Sequence, residues 1–314
     1  MTKDFVTVDH ITRRFKQLVA VQDLNFSIRK GEIFGILGPD GTGKTTLLRM
    51  MAGVLNPTSG NIRIGDLDTV KQAEAVKARI GYMPQRFGLY SDLSVAENLD
   101  FVADIFEVHG EVRRRRMSEL YDFTQLERFK ERRAGQLSGG MKKKLGLACS
   151  LIHEPEVLLL DEPTTGVDPV ARRSFWDLLS GLHAKGTTTI VSTPYMDEAE
   201  RCNRVLLLFE GKILACDTPQ RIKKMIPGSV IAIQNNDIRH LKTVIEELPF
   251  LLDIQTYGDQ LNLIVSGDAE VAKQNIQAHL SAEDVKLTRL ETIPIRMEEA
   301  FIYLVSKARE SEVA

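Results

Sequence analysis

The chain of 314 residues is poor in several respects, and each shortage excludes something. It has only three cysteines, Cys149, Cys202 and Cys216, scattered along the sequence. No pair has metal-ligand spacing, and an odd, dispersed set suits a reducing compartment rather than a disulfide framework. Free cysteines of this kind are expected to be buried, inert thiols. No run approaches the ~18 apolar residues that a membrane helix needs. The opening "MTKDFVTVDHITRRF" has no apolar core of signal-peptide length. The expectation is a cytoplasmic chain that cannot itself form a membrane path. A formal net charge of −2 lacks the strongly basic footprint of a nucleic-acid binder, so no nucleic-acid partner is expected. What remains is ordinary globular composition, 43% hydrophobic and 27% charged. The length suits two domains of ~100–200 residues each. No internal repeat relates them.

Residues 5–34 alternate short β-rich segments with polar turns: "FVTVDHI", "AVQDLNFSI", "EIFGILG". "IFGILG" then runs into a glycine-rich loop and into "KTTLLRMMAGVL", which has helical spacing. "GNIRIGD" and "ARIGYMP" read as strands. From Ser94 to about Phe129 the pattern is helical and charged, a helical insertion. "LSGGMKKKLGLACSLI" reads as a helix, and "VLLLDEP" as a wholly apolar strand that ends in acids. Such a strand fits the centre of a parallel sheet covered on both faces. A helix over Pro169–Ala184, the strand "TTTIVS" and the hairpin "RVLLLFEGKILA" follow. Composition shifts near "CDTPQRIKKMIPG". From about Ser229 the order is βαββαβ plus a last helix, which predicts a small α+β ferredoxin-like domain. The expected division is an α/β domain over 1–220, with a helical subdomain at about 90–150, and an accessory domain over 221–314.

Three motifs carry chemistry. "GPDGTGKTT", residues 38–46, fits G-x-x-x-x-G-K-[ST] between a predicted strand and helix, the context of a phosphate-binding P-loop. Gly38, Pro39, Asp40, Gly41, Thr42, Gly43, Lys44, Thr45 and Thr46 form it. Gly38, Gly41 and Gly43 let the backbone wrap the phosphates, and the following helix start adds a favourable dipole. Lys44 would reach the β- and γ-phosphates, and Thr45 would ligate Mg²⁺. In "VLLLDEP" a strand delivers Asp161 to hold Mg²⁺, and Glu162 beside it would polarise the attacking water as general base. In "LSGGM" Ser138, Gly139 and Gly140 precede a helix and would make a second anion-binding helix start. ATP and Mg²⁺ are the expected cofactors.

With these motifs in this order, residues 1–220 resemble the nucleotide-binding subunit of an ABC transporter, of the bacterial multidrug-exporter type. The resemblance implies a P-loop NTPase fold with a mixed sheet core. It implies two cassettes joined head to tail, with ATP between the P-loop of one and the "LSGG" turn of the other. It implies that Phe15 stacks on adenine. Gln85, by the same resemblance, touches Mg²⁺ and the attacking water and senses the membrane partner, and "GVDP", residues 166–169, communicates across the dimer. The partners would be transmembrane permease subunits and a second cassette, a different chain or a second copy. The place would be the cytoplasmic face of the inner membrane, peripherally. Two positions depart from the family pattern: Met141 where many members have Gln, and Pro194 where a histidine normally contacts the γ-phosphate. A proline side chain has no donor to offer, so this chain's own site is expected to bind ATP and hydrolyse it slowly. That points to a heterodimer whose other site is intact. The alternatives are a nucleotide-gated regulatory cassette or a soluble ABC ATPase of translation or repair, whose usual basic linker or long insertions are missing here. The basic runs "RRRR" (113–116) and "KKK" (142–144) read as solvated faces, the first with an option of binding anionic lipid. His240 and His279 read as isolated surface residues.

Overall fold

The computed structural model describes residues 4–86 and 88–313. They fold as two compact units, Met1–Asp217 and Thr218–Ala314. The first unit opens with β1 (Asp4–Phe15), β2 (Leu18–Arg29) and β3 (Ile33–Leu37), followed by α1 (Lys44–Met51). Next come β4 (Ser59–Ile64), β5 (Leu67–Asp68), α2 (Ala73–Arg79) and β6 (Ile80–Met83). Three helices follow, α3 (Val95–Ile105), α4 (Gly110–Thr124) and α5 (Gly139–Leu151). The unit ends with β7 (Val157–Asp161), α6 (Pro169–Ala184), β8 (Thr188–Thr193), β9 (Arg204–Phe209) and β10 (Lys212–Asp217).

Two sheets form. The larger has the order β10-β9-β3-β8-β7-β6, parallel except for the β9–β10 hairpin. The smaller, β2-β1-β4-β5, is antiparallel. The inner strands β3, β7 and β8 are buried along their whole length, as expected for a parallel sheet covered on both faces. Helix α1 buries Leu47, Leu48, Met50 and Met51 in one apolar core with Val6 and Val8 of β1 and Ile36 of β3. The consequence for function is a matter of register. Leu37 pairs with Thr193, and Asp161 with Ser192, so β3, β7 and β8 all end on one line. The loops that leave those ends meet there.

The sequence pattern "ARIGYMP" predicts a strand throughout, but Ala78 and Arg79 close helix α2 and only Ile80–Met83 is strand. Val76 is the one buried residue of that helix, so its 3.6-residue period is not written in the sequence. The "RRRR" run is not a free cationic face. Arg113 pairs with Asp100 and Asp104, Arg114 with Glu111, Arg115 with Glu119 and Arg116 with Glu154. In "KKK" only Lys142 is exposed; Lys143 and Lys144 are half-buried. Cys149 and Cys202 are buried and Cys216 half-buried. Burial pushes the Cys149 thiol up to about 12, which keeps it protonated and unreactive.

The second unit contains α7 (Pro219–Lys223), β11 (Ser229–Gln234), α8 (Ile238–Ile245), β12 (Leu251–Tyr257), β13 (Gln260–Val265), α9 (Ala269–Ala282), β14 (Arg289–Ile293) and α10 (Met297–Val313). Its sheet, β12-β13-β11-β14, is antiparallel throughout. One face packs on α8 and α9 through Ile231, Leu263, Leu241 and Ile276. The other meets α10, where fully buried Glu299 accepts from Asn262 Nδ2 at 3.1 Å and from Arg296. His240 is exposed, but His279 is half-buried, with Nε2 3.0 Å from the Val244 carbonyl.

Candidate functional site

The loop after β3 crosses the ends of β8 and β7. Gly38 N–H donates to the Thr193 carbonyl at 3.4 Å, which anchors the loop to the end of β8. Lys44 is buried and folds back under the loop: its ammonium donates to the carbonyls of Gly38 at 2.8 Å and Pro39 at 2.9 Å. The Thr42 hydroxyl is spent on the Pro39 carbonyl at 3.0 Å. Asp40, Gly41, Gly43, Lys44, Thr45 and Thr46 line a cleft of about 540 Å³. Gly43 caps the start of α1 at φ +102.

The strand β7 brings its two acids to the same place. Thr45 Oγ1 donates to Asp161 Oδ1 at 3.0 Å, and the Ser192 hydroxyl donates to the same oxygen at 2.7 Å. Asp161 Oδ2 is buried and has no hydrogen-bond partner among the described residues. A buried carboxylate oxygen without a partner, next to a threonine hydroxyl, is a donor set that suits a hard cation. Glu162 is buried and sits 3.4 Å from the Lys44 ammonium. The Gln85 amide donates to Glu162 Oε2 at 2.8 Å, and the Thr165 hydroxyl reaches the same oxygen at 3.3 Å. Glu162 has φ +49, in the left-handed region that a residue with a side chain seldom adopts. Its N–H donates to Ser192 at both the carbonyl and the hydroxyl, which holds that conformation.

Phe15 lies on the rim of the cleft, 40% exposed, with the Arg13 guanidinium 4.4 Å over its ring. The cleft is also lined by Leu18, Val19 and Ala20, and by Glu210 and Gly211 of the β9–β10 turn. Those wall residues carry no motif. The turn is brought in by a backbone contact, Gln22 N–H to the Gly211 carbonyl at 2.8 Å, which only the packed fold shows.

Ser138, Gly139 and Gly140 do not line this cleft. Ser138 caps α5, its hydroxyl accepting from Met141 N–H at 3.3 Å. Ser138 and Gly139 are exposed, and Ser138 and Gly140 border a larger cavity of about 940 Å³. That cavity also takes in Met141, the end of α4 and the first turn of α6. Asp168 caps α6 through Ala171 N–H, with Pro169 at the first helical position. Pro194 follows β8, half-buried, and is absent from the lining of the 540 Å³ cleft. Arg172 of α6 holds the segment after it, with its guanidinium 4.2 Å over the Tyr195 ring and 3.5 Å from Asp197. No described helix is long and apolar enough to cross a membrane.

Residues 21–165 match the family model described as "ABC transporter". The chain is 41% identical over 316 residues to the probable multidrug ABC transporter ATP-binding protein YbhF of Escherichia coli, covering 99% of this chain and 54% of that one. It therefore spans about half the length of that relative. It is 32% identical over 304 residues to the Nod factor export ATP-binding protein I of Ralstonia nicotianae, covering 96% and 94% of the two chains. Among solved structures, cbiO1 of Clostridium perfringens, part of the ABC transporter complex cbiONQ, superposes with a TM-score of 0.66 at 27% identity, over 79% of this chain and 97% of that one. The dimeric, post-hydrolysis form of the cassette MJ0796 bound to ADP and phosphate gives 0.62 at 28% identity, over 68% and 98%. By its motifs, its fold and these relatives, the chain belongs to the ABC transporter family, as one of its ATP-binding cassettes.

Proposed function

We propose that this ATP-hydrolysing cassette pairs with a second cassette around ATP and drives separate permease subunits in export, of drugs or similar compounds, from the cytoplasmic face of the inner membrane. The carrying observation is the convergence of Lys44, Thr45, Asp161, Glu162 and Gln85 in one cleft. The relatives support export: one is described as a probable multidrug protein and the other as a Nod factor exporter.

Each side chain has a role that its surroundings permit. Lys44 is held by two neutral carbonyls with the Glu162 carboxylate 3.4 Å away, and anionic β- and γ-phosphates would outcompete the carbonyls for its ammonium. The loop amides and the start of α1 receive the remaining phosphate charge. Phe15 offers its free face to adenine. Thr45, Asp161 and Gln85 would hold Mg²⁺, and the unpartnered Asp161 Oδ2 fits that assignment. The ion supplies charge neutralisation on the phosphates. Glu162, steered by the Gln85 amide, takes the proton of the attacking water.

Ser138, Gly139 and Gly140 do not line their own chain's cleft, which supports the reading that they close the site of another cassette. The relative YbhF is about twice as long, which leaves room there for a second unit of this size. We read the second unit, about 221–314, as a ferredoxin-like accessory domain to a cassette over 1–220; its βαββαβ order and its β12-β13-β11-β14 sheet support that reading.

The test is purification through a tag on this chain from its native membrane in mild detergent, with the copurifying proteins counted. Permeases with a second cassette support the proposal; no membrane protein in the purified assembly refutes it. Pro194 favours a second reading, a regulatory cassette with little turnover. Restoring a donor, Pro194→His, is expected to raise kcat by about 10- to 100-fold with KM nearly unchanged, since a single transition-state donor is worth ~10²–10³ in rate. Steady-state ATPase assays of the two proteins decide it. An unchanged kcat means that Pro194 is not what limits the site.

A further inference from the structure

Lys143 lies five residues after Ser138 on α5, and its side chain turns inward rather than to solvent. Its ammonium is 3.3 Å from the Gln85 carbonyl and 3.3 Å from the Glu162 carbonyl. Two carbonyls from separate loops, the one after β6 and the one after β7, therefore share one cation. Both belong to the residues whose side chains meet at 2.8 Å over the cleft.

The Glu162 backbone is held from two sides. Its N–H is tied to Ser192, at the end of a fully buried central strand. Its carbonyl is tied to Lys143, on the helix whose first turn carries Ser138, Gly139 and Gly140. The first tie is part of the rigid sheet. The second runs to a helix whose start, at Ser138 and Gly139, is exposed. The two ties together fix the peptide planes on either side of Glu162, and with them the place from which its carboxylate projects.

We propose that Lys143 is a positioning residue that relays the state of this chain's "LSGG" turn to its own hydrolytic centre. Nucleotide held by a second cassette against Ser138–Gly140 shifts the start of α5, and Lys143 carries that shift to Gln85 and Glu162 together. Each ATP site thereby registers the occupancy of the other within a single chain. The inference rests on the two-cassette reading given above.

The experiment uses the assembly purified through a tag on this chain, with ATP and Mg²⁺. Lys143→Met keeps the apolar stem and removes the donor; Lys143→Arg keeps a cation; Lys142→Met, on the exposed neighbour, is the control. For Lys143→Met, kcat is expected to fall about tenfold with KM changed less than about twofold, because misaimed groups cost rate rather than binding. The Hill coefficient for ATP is expected to fall toward about 1 as the two sites uncouple. Lys143→Arg should recover most of both quantities, and Lys142→Met should match the wild type. Wild-type kcat and Hill coefficient in Lys143→Met overturn the inference, as does equal loss in the Met and Arg variants with a lowered Tm. The two-cassette reading is checked separately in a Glu162→Gln assembly by its mass with and without ATP. If no second cassette is held, that reading fails and the relay with it. If one is held and Lys143→Met is silent, only the relay fails.

Discussion

Glu162→Gln is expected to lower ATP turnover by about 10²–10⁴-fold while ATP stays bound, the usual contribution of a positioned general base. The amide is nearly isosteric with the carboxylate, so the Gln85 and Thr165 contacts have a partner of the same shape. On the proposed mechanism, what is lost is the acceptor for the water's proton. The sign of the binding effect follows from the charges in the cleft. Glu162 is a buried anion 3.4 Å from the Lys44 ammonium, competing with phosphate for the same cation. Removing that charge leaves ATP affinity equal or higher. Single-turnover hydrolysis of labelled ATP, alongside retention of unhydrolysed nucleotide after gel filtration, separates the two quantities. Turnover above about a tenth of wild type would remove Glu162 from the role of general base.

Gly43→Ala is expected to cost about 2–4 kcal/mol of stability and to lower ATP affinity more than about 100-fold, since overpacking against backbone and a left-handed φ act together. A Cβ at Gly43 would stand 2.4 Å from the Ala20 carbonyl oxygen and 2.9 Å from a Val21 methyl, with φ at +102. Neither neighbour yields easily: one is the backbone of β2, and Val21 is fully buried. Gly41 supplies the contrast. It also has positive φ, +81, but a Cβ there meets none of the described residues within 4 Å. Gly41→Ala therefore carries only the conformational cost, about 1 kcal/mol. Thermal melting and binding of a fluorescent nucleotide analogue should rank the two in that order. Equal effects would mean that φ alone, and not the approach of β2, is what the loop cannot tolerate.

The contrast shows what kind of information the sequence carries. All three glycines of "GPDGTGK" look alike in the motif. The structure separates them: Gly38 and Gly43 press on backbone, from β9 and β2 respectively, while Gly41 faces open space. Likewise "KKK" is three equal charges in sequence. In the fold one points to solvent and another bridges two loops of the cleft. The four arginines before it are absorbed by acids, two of them on a neighbouring helix.

Local order was legible in the sequence because it rests on short-range chemistry. Alternating and continuous apolar runs mark β3, β7 and β8; Pro169 marks the start of α6; a Gly-rich loop between strand and helix carries the phosphate-loop pattern. The order of the motifs along the chain was enough to name the family. Contacts between distant segments were legible only where the motifs and the resemblance supplied them, as for Thr45 with Asp161; the others were not, because nothing in a peptide's own periodicity encodes what will face it. The wall from the Glu210–Gly211 turn, the Arg172 grip on the segment after Pro194, and the Lys143 bridge each join residues from separate parts of the chain. They exist because parallel strands end on one line and bring their loops together there. The sequence by itself thus determined which side chains this protein has for handling a nucleotide. Only the packing of the sheet decided which of them meet, because side-chain geometry at the cleft is set by strand register and not by spacing along the chain.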